Sequence, residues 1–592
     1  GRLVLASGTT TFGGGATSQT LKGSGILDLG GGATLALGSN LILAPGNSPG
    51  TLGIVGGSVT VSGNATPKLE FEYTATAAVA AGSGANDYLR ISGGSLLVGS
   101  ASTLNVSAIA YNSKTASGSS ISAGSVGQSR VNDTAAHKFA IIENVIATDA
   151  NFFVSSYVSV NSLGGYYATT PARSATISAT PSVSGGSLYL TVQRTSFATI
   201  GSTNNTSAVG RLLDNSLSLT SGGISTLIDK LDTTALDASG VSLGTSTGIL
   251  SKSLSYAAIN STLQALNPAG YAELANLGFG RLLDLQLGLV NHLRTLAAPG
   301  LQLENNEEMY VWTTGYGGWI TRNGESSFGS AGYTASNIGD ISGVEKRFGQ
   351  LTVGLMGAIG TTSATLGSGM GSVTTDIWHG GLYGSMPVDA GAYRVFLDAA
   401  FAFGNGESTV KRDVNVPGIA GGGSTSSKGA NSEWLLQFGA AVPLRTADKS
   451  LTVTPSLHLV LVGFNQSALS EGLFNGFGAL MSKQTATSTS VRTGVQAAKL
   501  IKIARRNTRL TAGVDWIHCF DSDRRDTDIA LTGTTGGATK FQSSKAGGDA
   551  IRLGLGGEIV LAQGIHFRVN LDQQIQSSQS SSNGSVSLGV QF

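Results

Sequence analysis

The sequence holds a single cysteine, Cys519, which rules out an intramolecular disulfide and a thiolate metal cluster. Its expected role is that of a small, partly buried strand residue. Charge is scarce as well: Asp, Glu, Lys and Arg make up 12% of the chain, about half the usual share for a soluble globular protein. The formal net charge of +1 and the lack of a basic stripe with interleaved aromatics give no footing for nucleic acid. No stretch reaches the roughly 18 apolar residues that a membrane helix needs, so any crossing of a bilayer must be made by strands. Reaction motifs are missing too. No Gly-rich phosphate loop runs into Lys-Ser or Lys-Thr, and no His-Glu-x-x-His is present. The histidines, His137, His292, His379, His458, His518 and His566, are scattered without ligand-like spacing. Gly-x-Ser-x-Gly strings occur, but none follows a buried strand and opens a helix as a nucleophile elbow does. The expectation is a non-enzyme without cofactor or metal.

What the chain does have is glycine, 85 residues of it, and alternation. Val586-Ser-Leu588-Gly-Val590-Gln-Phe592 alternates strictly and stops on an aromatic. In Ile565-His-Phe567-Arg-Val569-Asn-Leu571-Asp the apolar residues take one parity and His566, Arg568, Asn570 and Asp572 the other. Arg552 and Glu558 oppose Ile551, Leu553 and Leu555; Arg394 and Asp398 oppose Tyr393, Val395, Leu397 and Phe401; Glu433 and Gln437 oppose Trp434, Leu436 and Phe438. Leu457, Leu459 and Leu461 form a further apolar face, opposite Ser456 and His458. Such strands fit a wall with lipid on one side and water on the other. Arg394, Asp398, Glu433, Gln437, Arg492, Arg552, Glu558 and Arg568 are expected to form a lumenal network whose opposite charges satisfy one another.

Candidate strands lie near residues 308–322, 334–347, 350–362, 373–387, 391–404, 431–445, 449–463, 486–502, 507–520, 547–562, 564–577 and 583–592. Their links alternate between longer ones, including 405–430, 464–485 and 521–546, and tight ones such as Gly349 and Gln563. Twelve strands with short turns on one rim and long loops on the other define an antiparallel transmembrane β-barrel over 308–592, with both of its ends on the short-turn side.

Residues 1–200 have another texture. Apolar pairs such as Leu27 and Leu29, Leu35 and Leu37, and Leu41 and Leu43 recur between Gly, Ser, Thr and Asn. Short strands with turns at nearly every interval fit a parallel β-helix, in which each rung buries its inward residues against the next. Residues 201–307 join the two parts. Helical spacing is seen over Thr206 to Leu219, Gly223 to Leu231 and Leu254 to Leu266, then in a longer run over 268–296 closed by Pro299-Gly300. That run would reach about 43 Å, enough to traverse a barrel as thick as a bilayer. Leucines surround it on nearly every side, and only Arg281, Asp284, His292 and Arg294 offer polar contacts to a wall. Either part of the helix packs outside the pore or the lumen is greasier than the strands suggest.

Leu43-Ala-Pro45-Gly46-Asn47-Ser48-Pro49-Gly50-Thr-Leu52 resembles the passenger-associated strand repeat of the autotransporters, the type V secretion family. Asn86-Asp-Tyr-Leu-Arg-Ile91, Leu104-Asn-Val106 and His137-Lys-Phe-Ala-Ile-Ile142 continue that family's order. The resemblance implies an all-β chain with a right-handed β-helical passenger stem, a linker helix in the barrel lumen and a monomeric barrel in the bacterial outer membrane. The barrel would deliver its own stem to the cell surface, driven by passenger folding, with an adhesin as one possible passenger. It also implies that Val586, Leu588, Val590 and Phe592 are read by the barrel-assembly machinery, with periplasmic chaperones as further partners. The first residue is Gly1, without a Met or a leader, so a processed or truncated fragment is expected. Asn305-Asn306 matches in type the self-cleaving pair of some members, but it follows the Pro-Gly break and is read as a polar turn. The alternative is a porin-like channel whose N-terminal segment is a periplasmic appendage.

Overall fold

Pairs of aliphatic residues spaced too closely for helices need neighbours above and below to bury them, and a coil of three short strands supplies both. The computed structural model describes residues 1–5, 7–46, 50–74, 86–111, 134–159, 175–219, 221–232, 249–297, 309–416, 419, 423–447, 450–503, 506–521, 524–545, 547–562 and 564–591. β1 (Arg2–Val4), β2 (Thr9–Phe12) and β3 (Gln19–Gly23) form the first coil, followed by β4 (Ile26–Asp28), β5 (Thr34–Leu37) and β6 (Leu41–Pro45). The third is β7 (Thr51–Val55), β8 (Ser58–Val61) and β9 (Lys68–Thr74), and the fourth β10 (Tyr88–Ser92), β11 (Leu96–Val98) and β12 (Leu104–Tyr111). β13 (His137–Glu143), β14 (Val145–Ile146) and β15 (Phe152–Ser159) close the fifth. Each strand pairs in parallel with its counterpart one coil on, giving three sheets around one core of Leu29, Leu35, Leu43, Ile54, Val59, Leu89, Ile91, Leu104 and Phe139. This is a parallel β-helix.

Its corner between the first and second sheets is turned by Gly56 (φ 79°), Gly93 (φ 70°) and Asn144 (φ 54°) in successive coils. Left-handed backbone is open to Gly and, less readily, to Asn, and Asn144 adds a hydrogen bond to the Ile91 carbonyl at 2.6 Å. Pro45 ends β6, and the Gly50 amide donates to the Asp87 carboxylate at 2.9 Å. The Asn86 amide donates to the Ala140 carbonyl at 3.0 Å, so the Pro-Gly turn, the Asn-Asp pair and the next coil are tied in series. Asn47, Ser48 and Pro49 lie outside the described residues. An antiparallel hairpin, β16 (Ile177–Ser184) and β17 (Ser187–Arg194), turned at Gly185-Gly186, ends the stack against β13.

Three helices follow: α1 (Phe197–Ile200), α2 (Asn204–Asp214) and α3 (Gly223–Asp232). The fully buried Arg194 makes a bidentate pair with Asp232, both bonds 2.6 Å, and Thr176 donates to the same carboxylate at 2.7 Å. α4 (Ile249–Leu266), a 3-10 turn (Ala269–Glu273) and α5 (Leu274–Ala297) lead toward the barrel. By backbone contacts the chain forms two compact units, Gly1–Ser202 with Val209–Leu263 and Gly533–Gly536, and Thr203–Ala208 with Gln264–Thr532 and Gly537–Phe592. The expected linker over 201–307 is thus divided between them.

In the second unit the strands are β18 (Met309–Arg322), β19 (Tyr333–Phe348), β20 (Leu351–Leu366), β21 (Gly371–Ala390), β22 (Tyr393–Val414), β23 (Gly423–Ala441), the two-residue β24 (Leu444–Arg445) and β25 (Leu451–Gln466). They continue as β26 (Leu469–Ser470), β27 (Ala479–Met481), β28 (Gln484–Ile503), β29 (Arg506–Cys519), β30 (Asp526–Leu531), β31 (Thr539–Gln542), β32 (Asp549–Ala562), β33 (Ile565–Gln576) and β34 (Gln579–Gln591). Twelve long strands pair antiparallel in chain order, and β34 returns to β18 with Gln591 opposite Tyr310 and Gly589 opposite Trp312. Closure leaves no edge in lipid. Trp319, Ile338, Leu355, Ile359, Leu555 and Leu571 project outward, as do Val586 and Leu588; Phe592 lies outside the described residues.

The alternation of link lengths is less strict than expected. Ser577-Ser578 alone joins β33 to β34, because Gln579 to Ser582 pair with Trp319 to Arg322 instead of forming a loop. Their serines look like loop by composition, but backbone pairing and a polar lumen place no demand for bulk on the inward positions. Likewise β22 and β23 run through much of the expected 405–430 loop, paired from Phe396 and Ala441 to Val414 and Gly423. The loops around 467–483 and 520–548 contribute β26, β27, β30 and β31, a separate four-stranded sheet at the long-loop rim.

Candidate functional site: the barrel lumen and its helix

α5 lies inside the barrel, packed against β18 to β21, β23, β25 and β28. Leu282, Leu285, Leu289 and Val290 are fully buried, and the reason is in the wall. On this side the inward positions include Ile320, Ile341, Leu435, Val460, Val462 and Phe464, all buried. The lumen is therefore greasier than the strand alternation suggests, which settles the choice left open by the leucine-rich helix. Close approach is made by glycine. A Cβ on Gly280 would lie 2.7 Å from the Ile320 side chain and one on Gly288 2.6 Å from Ile341, and one on Gly278 would meet the Phe464 ring. Each is a notch that a bulkier residue would fill.

Polar contacts then fix the helix in register. Arg281 forms an ion pair with Glu433 and donates to Thr362 at 3.0 Å. Thr362 donates to Asn337 at 2.8 Å, and Asn337 to Asp284 at 2.5 Å. Arg281 and Asp284, three residues apart on one helix face, are thus joined through the wall. Gln286 donates to Gln437 at 2.7 Å, and Gln437 to Asp398 at 3.1 Å. His292 bonds Glu345 at 2.8 Å and stacks on Trp312 with centroids 4.1 Å apart. Tyr383 donates to the same Glu345 oxygen at 2.8 Å and receives the Trp312 indole N–H at 2.6 Å. Arg294 donates to Asp515 at 3.0 Å, which also faces Arg492 at 3.3 Å and Arg552 at 3.2 Å. Arg552 binds Asp572 at 2.5 Å, and Glu558 gathers Arg509, His566 and Arg568.

Where the chain enters the helix, the loops hold it. The Tyr271 hydroxyl bonds Ser427 at 2.7 Å and Glu471 at 2.8 Å, and Arg412 makes two bonds to Glu471, 3.0 and 2.7 Å. The Glu273 carboxylate receives the Ser544 amide at 2.6 Å. Ile529, Leu531, Phe541 and Met481 make a buried core for the four-stranded loop sheet, which packs on the 3-10 turn.

Arg281, Asp284, His292 and Arg294 all reach the wall, and Asp398, Glu433, Gln437, Arg492, Arg552, Glu558 and Arg568 all face inward. Arg394 does not join them. It is the second residue of β22, its side chain half exposed and 4.0 Å from Asp389 across the tight turn. Its parity is inward, but at the rim there is no lumen to face. Asn337, Glu345, Thr362, Tyr383 and Asp515 were missed, although the same alternation rule places them. Asn305 and Asn306 lie outside the described residues. Among the described residues no group of three or more His, Cys, Asp or Glu is arranged to hold a metal ion.

A closed twelve-stranded antiparallel barrel with a lipid-facing apolar belt and a helix through its lumen is the architecture of an outer-membrane translocator domain. Residues 311–572 match the family model of the autotransporter beta-domain. That match assigns the barrel, over those residues, to the autotransporter β-domains, whose other members are outer-membrane proteins. Among solved structures it is similar to the translocator domain of the autotransporter NalP from Neisseria meningitidis, at 15% identity and a TM-score of 0.37, covering 52% of this chain and 97% of that one. The transport unit of the autotransporter AIDA-I from Escherichia coli matches at 14% identity and a TM-score of 0.35, over 52% and 98% of the two chains. The beta domain of the Bordetella autotransporter BrkA matches at 14% and 0.34, over 48% and 98%. No curated protein sequence matches the chain.

Proposed function

We propose that this barrel delivers the N-terminal β-helix of its own chain to the cell surface by type V secretion. The observation that supports the reading is the direction of α5. Its start is held by the long-loop residues Glu471 and Ser544, while His292 and Arg294 near its end meet Trp312, Glu345 and Asp515. β18 then begins at the short-turn rim. Whatever precedes the helix thus leaves the barrel at the long-loop rim, the cell-exterior side of such barrels. Export needs a drive in a compartment without ATP, and coil-by-coil burial of Leu29, Leu43, Ile54 and Ile91 offers one, since each completed coil removes apolar surface from water. An adhesin is one passenger activity compatible with this reading. The barrel is read as a monomer without a catalytic role, inserted by the barrel-assembly machinery through Val586, Leu588, Val590 and Phe592.

Protease added to intact cells should remove residues 1–200 and leave the barrel. Protection of that segment would overturn the assignment. Deleting Phe592 should lower the amount of inserted barrel more than it lowers the unfolding midpoint of what does insert, measured on outer-membrane fractions.

A further inference from the structure

On the outer face of the barrel one carboxylate stands among lipid-facing hydrocarbon. Asp340 shares its parity on β19 with the outward Ile338 and Ser342, while Asn337, Ile341 and Glu345 face the lumen. It lies opposite Gly315 of β18 and Ile359 of β20, and Ile338, Leu355, Ile359 and Val586 around it are exposed on the same face. Trp319, at the long-loop boundary of the apolar belt, pairs with Ser336, four residues along β19, and Phe348 lies eight residues the other way. At ~3.3 Å per residue along strands tilted by about 45°, Asp340 is roughly 9 Å inside the nearer boundary. Its hydrogen bonds come from two hydroxyls: Thr313 donates to it at 2.9 Å and Ser342 at 2.8 Å. Neither partner is a cation. Among the described residues the lipid-facing cations stand at the rims, Lys346 and Lys499 on the short-turn side and Lys411 and Lys428 beyond Trp378 on the other.

Hydroxyls satisfy hydrogen bonds without neutralising charge, and an acid at this depth on a lipid-facing wall is costly unless it is paired. A carboxylate accepts at about four positions, and the two hydroxyls fill two of them, so a donor from outside the barrel has a place to bind. Gly315 and Gly357 beside it carry no side chain, and a Cβ on Gly315 would meet no atom within 4 Å. The wall is hollowed there, and another backbone can come close. Acyl chains bring no donor to this depth, and a second copy of this chain has no lipid-facing cation to offer at it. We infer that the Asp340 hollow on β18 to β20 is a docking site for a membrane-spanning segment of a different protein, one that carries a Lys or Arg at the same depth. The resulting ion pair forms away from water, where a partner lacking the cation leaves the acid unpaired and is rejected. The inference rests on the barrel's place in lipid and not on export of the stem.

The whole chain is expressed in the cells that make it with a photo-crosslinking residue in place of Ile359, beside Asp340, or of Leu457 on β25 as a control. Expected is an adduct from position 359, absent from 457, whose captured peptide is a membrane-spanning segment with a Lys or Arg. Asp340→Asn should weaken that adduct about tenfold or more. Asp340→Lys should abolish it, and changing the captured Lys or Arg to Asp should restore it; heat-modifiable migration shows that each variant is inserted and folded. An adduct with lipid alone or with a second copy of this chain overturns the proposal. So does a captured segment without a cation, the lack of any adduct, or an adduct of unchanged yield in Asp340→Asn.

Discussion

The two halves of the lumen wall differ in what they offer α5. From β18 to β25 the inward side chains mix polar groups with an apolar band that includes Ile320, Ile341, Val460, Val462 and Phe464, and the helix lies on that band. From β29 to β34 the bulky ones are mostly polar, with Arg509, Asp515, Arg552, Glu558, Arg568, Asn570 and Asp572 in succession. A plug that must be both held and hydrated can be built this way. Leucines on one side of α5 bury against wall hydrocarbon, while Asn291, Arg294 and Thr295 on the other reach into a wet crevice. The glycines at 280 and 288 let the apolar side close to contact distance, and the polar bonds at Arg281, Gln286 and His292 then select one register. The difference teaches that the apolar half supplies adhesion and the charged half supplies solvation, so substitutions in the two should not cost alike.

The largest effect is expected where a charge is buried in the apolar half. Glu433→Ala leaves the buried Arg281 without its ion-pair partner, a loss of about 3–5 kcal/mol. Urea unfolding followed by tryptophan fluorescence measures it, and the helix should loosen enough to raise conductance in a planar bilayer. Adding Arg281→Met to Glu433→Ala should recover much of the loss, and strict additivity of the two would deny their coupling. A smaller effect is expected from closing a notch. Gly288→Leu drives a side chain into Ile341, costing about 1–3 kcal/mol through overpacking. If its unfolding midpoint matched that of the parent, the helix would not press on the wall there.

The same division explains what the sequence makes legible. Alternation identifies the charged half readily, because Arg552, Glu558 and Arg568 stand out between Leu553, Ile559 and Val569. The apolar half hides itself. In β25, Leu457 and Leu459 face lipid while Val460, Val462 and Phe464 face the helix, so Leu459-Val460-Leu461-Val462 reads as one apolar run with no inner face to see. For that reason α5 looks too greasy for its place until its neighbours are known. Gln579 to Ser582 fails for the opposite reason: residues typical of loops sit in a strand whose pairing is carried by the backbone. Arg394 has the right parity at a height where the lumen ends, and height is not written in alternation. The β-helix corners at Gly56 and Gly93 are visible as Gly-Gly pairs, whereas the buried Arg194–Asp232 clamp joins residues far apart in sequence and carries no local pattern.

The smallest effect is expected on the charged half. Asn570 donates to Ser585 at 3.2 Å and borders the crevice beside α5. Asn570→Ala removes that bond without leaving a tightly packed void, since water can reach the Ser585 hydroxyl through the crevice. The cost should be that of one hydrogen bond exchanged for solvent, about 0.5–1.5 kcal/mol. Measured in the same urea titration, it should fall below the loss in Gly288→Leu. A loss equal to or larger than that of Gly288→Leu would mean that the helix grips both walls with similar density. In that case the contrast between an adhesive and a solvated half would fail at its weakest predicted point, where the charged wall is least covered.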